Sequence, residues 1–358
     1  MTAATPATGS AELPACLEEV TREWITQALA GRYPGTVVTS LHVGRVVQAF
    51  ATNVRLLLEY NDAGHGHRLP ATMFLKAGFG QQDLESAFFS AARREVRFYQ
   101  EVRPHLPIAA PACFFAAADE SSGRAVLLLE DILGRNAIIG SPARPLSVES
   151  AERGLALLAR VHAYWWQHPR LSELELYPGS LEPAVRLLLS PAIWDRALDR
   201  PAARWLPGDL RESAAVMSAV ELAWGFNRQA PHCFVHGDPH LGNMYGEPDG
   251  SLGLLDWQAA SSGSWAYDVS RFIVGSLEVE QRRAAERALL SRYLQFLRAN
   301  GVNAPTFRAA WLEYSRNTVH GLRWLTSPPG HYPDEFIEAY VRRFSAAATD
   351  LRALEALR

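Results

Sequence analysis

Apolar and polar positions alternate in the first third of the chain and then change to a helical period. Residues 41–47 and 54–60 read as two β-rich runs flanking Gln48-Ala49-Phe50-Ala51-Thr52-Asn53. After the turn-type residues Asn61-Asp62-Ala63-Gly64-His65-Gly66, a third strand is predicted over 71–76. From 83 to 102 the pattern is that of a helix, broken by Pro104, Pro107 and Pro111. Residues 113–118 and 125–129 form a further strand pair joined at Asp119-Glu120-Ser121-Ser122-Gly123. With a short helix over 17–29 in front, this is a five-stranded, hairpin-built lobe with one helix.

After Pro145 helices dominate, over 148–166, 181–189, 210–227, 279–300, 304–325 and 334–357. They are interrupted by Phe234-Val235-His236 and by a hairpin. In the hairpin, Asn243-Met244-Tyr245 turns at Glu247-Pro248-Asp249-Gly250 into 252–257, with Asp-Gly where such a turn favours it. The hairpin returns Asp256 towards Asn243. The expected fold class is α+β, with a leader over 1–15, a sheet lobe over 16–131 and a larger, mostly helical lobe over 132–358. No internal repeat is present.

The chemistry concentrates in His236-Gly237-Asp238-Pro239-His240-Leu241-Gly242-Asn243 and Leu254-Leu255-Asp256-Trp257. A carboxylate, an amide five residues on and a second carboxylate after an apolar strand can hold metal ions around a transferring phosphoryl group. Protein kinases use a catalytic-loop Asp and Asn and then a metal-binding Asp in this way. Such a reaction leaves little covalent chemistry to the protein, which must place hard oxygen ligands around Mg²⁺ and orient a hydroxyl. Asp238 is the candidate base, although an Asp before Pro more commonly shapes a turn. Asn243 and Asp256 are the candidate Mg²⁺ ligands, and Trp257 is expected to be a packing anchor.

Lys76 closes the apolar run Met73-Phe74-Leu75 and is the candidate phosphate clamp, unless it only marks a strand end. Phe88, Ala92, Glu95 and Tyr99 fall on one helical face. Glu95 therefore sits in an apolar stripe and needs a cation, since an unpaired buried carboxylate costs about 3–5 kcal/mol. Lys76 is that cation, with Glu85 as the second-choice partner. Thr52 and Asn53 are candidate phosphate contacts in a loop that is not glycine-rich. The stretch from Glu130 to Ile132 is the expected connection between lobes, where backbone groups pair with a nucleobase edge.

His236, Asp238 and His240 also form His-x-Asp-x-His, the basis of a rival reading as a metal-dependent hydrolase. Gly237 and Pro239 disfavour the regular strand it needs, and no later histidine set completes it, so His236 is expected to orient the loop. Asp268 is expected as a helix cap or buried partner of that loop, and His162 as a core histidine. A nucleotide-binding protein without turnover is a second alternative.

Composition narrows the class without naming a substrate. Nearly half the chain is apolar and the net charge is −3, so nothing favours nucleic acid. Three scattered cysteines, no signal peptide and no membrane-length apolar run lead to the expectation of a cytoplasmic protein. The segment after Ala266 carries Trp311, Tyr314, Trp324, Tyr332, Phe336 and Tyr340, which serve equally as pocket or as core. Its acids are matched by arginines, whereas a polycation pocket is acidic. That balance favours a more apolar hydroxylated or glycosylated natural product.

Together these motifs resemble the aminoglycoside phosphotransferase and choline kinase-like superfamily, closest to its ecdysteroid-kinase-like branch and bacterial relatives. The likeness runs from about 41 to 300 and rests on Phe74-Leu75-Lys76, Arg94-Glu95-Val96-Arg97-Phe98-Tyr99, Leu128-Leu129-Glu130-Asp131 and the two motifs around Asp238 and Asp256. The resemblance implies a bilobal protein-kinase-like fold and ATP- or GTP-dependent, Mg²⁺-dependent phosphorylation of a small-molecule hydroxyl. It also implies Asp238 as base, Asn243 and Asp256 as metal ligands and Lys76 with Glu95 as an ion pair. The glycine-poor loop departs from the pattern. No Ala-Pro-Glu segment follows Asp256, which favours a small molecule over a protein substrate.

Overall fold

The computed structural model describes residues 12–48, 51–79, 89–106, 108–172 and 182–358. Glu85, Phe88, Leu181, most of the expected leader and the Ala49-Phe50 part of the loop lie outside the described residues. The chain divides into two compact units. One runs to Ala137 and also takes in Asp256–Gln258, and the other holds Ile138–Leu255 and Ala259–Arg358.

The first unit is built on an antiparallel sheet of β1 (Val38–Gln48), β2 (Thr52–Tyr60), β3 (Thr72–Gly78), β4 (Cys113–Ala118) and β5 (Ala125–Glu130), in the order β1-β2-β3-β5-β4. Along β2 the residues Val54, Leu56, Leu58 and Tyr60 are buried and the alternate ones are not, which is the period of two that a half-buried strand requires. The β5 residues from Ala125 to Leu129 are all buried, matching their unbroken apolar run. Helix α1 (Arg22–Ala30), capped by Thr21, lays Trp24, Ile25 and Leu29 into the core with Val54, Leu56, Leu75 and Phe115. The residues after Asn61 form the short helix α2 (Asp62–Gly66) rather than a bare turn, because the Asn61 side chain accepts from Gly64 N–H. Helix α3 (Phe89–Arg97) continues into a wide turn over Phe98–Val102.

The second unit contains α4 (Val148–Tyr164), α5 (Glu182–Leu188), α6 (Pro191–Ala197), α7 (Ser213–Gln229), α8 (Trp265–Ser276), α9 (Val279–Ala299), α10 (Phe307–Asn317), α11 (Asp334–Asp350) and α12 (Ala353–Ala356). Five short strands complete it. β6 (Ile138–Ile139), β8 (Met244–Gly246) and β9 (Leu252–Leu254) form one small sheet, and β7 (His232–Val235) pairs with β10 (Ser261–Ser264). Helix α8 is buried on nearly every side, and α4 packs against it so closely that a Cβ at Gly154 would lie 2.3 Å from Phe272.

The helix expected over 304–325 is instead α10 followed by a tighter 3₁₀ segment, Thr318–Thr326. Ser315 and Thr318 donate their hydroxyls back to the Trp311 and Ser315 carbonyls, competing with the α-helical ladder. Phe344 packs where a Gly321 side chain would stand, 2.0 Å from its would-be Cβ. Among the described residues no helix is long and apolar enough to cross a membrane.

Candidate active site

In the first unit the site is assembled around Lys76. Its strand β3 pairs with β2 so that Asn53 lies directly across from it, and with β5 so that Leu127 lies on the other side. The Lys76 ammonium contacts the Glu95 carboxylate and Asp256 Oδ1, the latter at 2.7 Å. Glu95 is 1 % exposed and Asp256 29 %. Burial opposes the charge on Lys76, but Asp256 and Glu95 more than offset it and raise its pKa. For Glu95 burial dominates and raises the carboxyl, with Lys76 pulling the other way. Two carboxylates against one ammonium leave the trio one negative charge in excess, with Asp256 its most exposed member.

Asp256 adopts a left-handed backbone (φ 58°), which Asp tolerates better than most residues. Its Oδ2 accepts from the Gln258 amide at 3.1 Å. The neighbouring Trp257 is fully buried, stacks on Phe98 at 3.9 Å and donates its backbone N–H to Glu95 Oε1. Arg94 donates to the Gln258 carbonyl, so α3 grips this short segment at two points.

Thr52 is buried at the start of β2, and the Asn53 amide donates to the Ala51 carbonyl. Glu130 ends β5, where its carboxylate accepts from Arg135 and from Ala112 N–H while its own N–H donates to the Ala112 carbonyl. Ile132 begins a 3₁₀ turn capped by Asp131, which also takes Arg55 Nε at 2.6 Å.

In the second unit the loop after β7 is held from behind by Asp268 of α8. This fully buried carboxylate accepts from His236 N–H at 2.7 Å and Gly237 N–H at 2.9 Å, and faces His162 Nε2 at 3.2 Å. The helix cap is Ser264, so Asp268 is the loop's partner rather than the cap. His162 is buried between Asp268 and the Tyr293 hydroxyl. Gly237 is required twice over: its φ is +80°, and a Cβ there would stand 2.1 Å from the Ala259 carbonyl oxygen.

His236 bonds the Leu255 carbonyl through Nε2, and its Nδ1 accepts from Asp238 N–H. With both ring nitrogens engaged, it has no lone pair to offer a metal. Asn243 donates Nδ2 to the Asp238 carbonyl, and its own carbonyl accepts from Leu255 N–H. Loop and hairpin are thereby stitched together.

The Asp238 carboxylate has two cationic partners that sequence reasoning missed. Arg271 of α8 pairs with Oδ1, and Arg323 of the 3₁₀ segment donates to the same oxygen at 3.1 Å. His240 Nε2 lies 3.7 Å from Oδ2. Burial pushes the Asp238 pKa up, but Arg271, His240, Arg323 and His236 together hold it below the ordinary value. Arg271 had a usable signal: spaced three residues after Asp268, it shares that residue's helical face. Arg323 had none.

The aromatic residues offered for a substrate pocket divide differently. Tyr314, Trp324 and Tyr340 are buried core residues, with Trp324 stacked on Tyr340. A recess of about 570 Å³, open to solvent, lies elsewhere in this unit, between α5, α7 and β10, with Trp224, Tyr267 and Gly237 in its walls.

Among the described residues no group of three or more His, Cys, Asp or Glu side chains could hold a metal by itself. The Asn243 amide oxygen in the second unit and the Asp256 carboxylate in the first are each of the hard-oxygen type that Mg²⁺ takes alongside waters and substrate phosphates. The excess negative charge of the Lys76 trio fits a cation at Asp256.

A five-stranded sheet bearing Lys76, with Glu95 on its helix, and a helical unit bearing the Asp238 loop define a kinase-like phosphotransferase fold. The phosphotransferase enzyme family (APH) matches residues 85–311, more than half of the chain, and the chain belongs to that family. Among solved structures, a microcompartment-associated aminopropanol kinase has the same fold (14 % identity, covering 89 % of this chain and 94 % of the other, TM-score 0.52). Weaker likenesses include the macrolide 2'-phosphotransferase MphH from Brachybacterium faecium (15 %, 84 % and 90 %, 0.43) and aminoglycoside 2'-phosphotransferase-IIIa in its GDP complex (11 %, 92 % and 99 %, 0.48). No curated protein sequence matches the chain. None of these comparisons singles out the ecdysteroid-kinase-like branch.

Proposed function

We propose that this protein is a nucleotide- and Mg²⁺-dependent kinase that phosphorylates a hydroxyl group of a small molecule. The observation that carries this reading is the buried Lys76, which bridges Glu95 and Asp256 from two other segments of the chain. A lysine held this way costs more to bury than a structural strand end would justify, and it is suited to a phosphate.

Asp238 takes the proton of the acceptor hydroxyl. As it does so, that oxygen bonds to the γ-phosphorus and the bond from this phosphorus to the β-phosphate oxygen breaks. Asn243 and Asp256 would hold Mg²⁺, which when bound would neutralise charge on the phosphates. Thr52 and Asn53 contact phosphates, and backbone groups from Glu130 to Ile132 meet the nucleobase of ATP or GTP. The engaged ring nitrogens of His236 count against the hydrolase alternative.

The test is thermal unfolding with ATP or GTP analogues, with and without Mg²⁺, in wild type and Asp256→Ala. A nucleotide at about a hundred times its Kd stabilises by about 2.7 kcal/mol. The expected result is a rise in Tm that needs both Mg²⁺ and Asp256. No response to either nucleotide refutes the reading.

A further inference from the structure

Two guanidiniums meet on one oxygen of Asp238, and this arrangement bears on which acceptor the enzyme takes. Arg271 is 1 % exposed, and its Nε and Nη1 have no hydrogen-bond partner. Arg323 is 15 % exposed, and its Nε likewise has none. One carboxylate oxygen cannot fill the donors of two guanidiniums. The next carboxylate, Asp268, acts on Arg271 through its charge, but its oxygens are taken by the N–H groups of His236 and Gly237 and by His162, so it accepts no hydrogen bond from either guanidinium. His320 adds no charge, because burial and these same arginines push its pKa down to about 3. Tyr267, whose ring lies under the Arg271 guanidinium at 5.5 Å, supplies only a π face.

A base whose oxygen already accepts from two cations is poorly placed to receive a hydroxyl proton. A cationic acceptor entering beside it meets two like charges that the protein has fixed in place. An acceptor carrying its own anion close to the hydroxyl meets the opposite situation. Its carboxylate or phosphate satisfies Arg323, whose planar fork suits either group in a two-pronged contact. Arg323 is the more exposed of the pair and sits on the 3₁₀ segment, whereas Arg271 is enclosed in α8.

We propose that Arg323 selects an anionic acceptor. In this reading the phosphorylated hydroxyl lies next to a carboxylate or phosphate, and that anion draws Arg323 away from Asp238 Oδ1 as the acceptor enters. Arg271 stays on the carboxylate as a positioning residue. The inference rests on Asp238 acting as the base, and it reverses the cationic preference that a choline or aminoglycoside acceptor would imply.

The experiment compares three small acceptors of similar size and different charge: glycerate, glycerol and 1-amino-2-propanol. Each is offered to the full-length protein with Mg²⁺ and nucleotide, and release of nucleoside diphosphate is followed. Wild type is expected to turn over glycerate at least tenfold better, in kcat/KM, than either of the others. Arg323→Gln is expected to raise KM for glycerate at least tenfold and to bring glycerate and glycerol level, while Arg323→Lys restores part of the preference. Nucleotide-dependent thermal stabilisation, read on every variant, shows that each is folded and loaded.

Preference for 1-amino-2-propanol or glycerol overturns the proposal. So does an Arg323→Gln variant with an unchanged KM for glycerate, or no turnover of glycerate by an enzyme that binds nucleotide. Failure of wild type to bind any nucleotide is a different result and sinks the kinase reading itself.

Discussion

Replacing Glu95 by Gln tests whether the Lys76 pair is as tightly held as its burial implies. Glu95 is 1 % exposed and Lys76 8 %, so the substitution leaves an ammonium in the interior with one carboxylate fewer. Breaking a buried pair from one side costs about 3–5 kcal/mol. The lower end applies here, because Asp256 Oδ1 remains 2.7 Å from Nζ and the Gln carbonyl can still accept from Trp257 N–H. At about 2.1 cal/mol/K per residue, the unfolding entropy of the 358-residue chain is about 0.75 kcal/mol/K, so a loss of about 3 kcal/mol lowers Tm by about 4 °C. The double variant Lys76→Met with Glu95→Leu removes both charges and keeps the volume, and such replacements are often neutral or stabilising. Asp256, partly exposed, is left to water. Urea and thermal unfolding followed by circular dichroism give the comparison. A loss under about 1 kcal/mol in Glu95→Gln, or a double variant less stable than the single one, refutes the reasoning.

Other predictions concern the loop and its titrating neighbours. Gly237→Ala combines left-handed strain with overlap on the Ala259 carbonyl and should cost about 2–5 kcal/mol and abolish turnover, whereas Gly250→Ala, left-handed but in open space, should cost only about 1 kcal/mol. Equal losses on urea unfolding would show that the close approach is not what requires Gly237. His320 has a folded pKa of about 3 against an ordinary 6.5, so its contribution is complete above about pH 6.5. As pH falls from there towards 3, the unfolded chain binds a proton that the fold refuses, removing up to about 1.4 kcal/mol per pH unit. His320→Asn should flatten that limb, and an unchanged slope counts against it. Asp238 is held below the ordinary 3.8 in the free enzyme, so kcat/KM should have no acid limb from the base between pH 5 and 8. A midpoint near 6 that disappears when Arg271 is replaced by Lys would contradict this.

How far the sequence reached can be judged from particular residues. The alternation of β2 and the unbroken apolar run of β5 are the burial patterns those strands have, because side-chain direction along a strand follows from backbone geometry alone. Glu95 could be matched to Lys76 because helical periodicity placed a carboxylate in an apolar stripe, and a buried charge has few ways to be satisfied. The hairpin from Met244 to Leu254 was legible from Asp249-Gly250, a local turn signal. Where local signals competed, reading failed. The hydroxyls of Ser315 and Thr318 and the missing side chain of Gly321 turned one expected helix into two segments.

That break is what carries Arg323, eighty-five residues from Asp238, to the same oxygen as Arg271. Periodicity, caps and turns act between residues a few positions apart, and so the chain alone determined the five strands of the first sheet and most of the long helices. The partners of the Asp238 carboxylate are set by how α8 and the Thr318–Thr326 segment pack around that loop. Only the tertiary structure could decide them, because a guanidinium's reach across a folded interior leaves no periodic trace in the sequence.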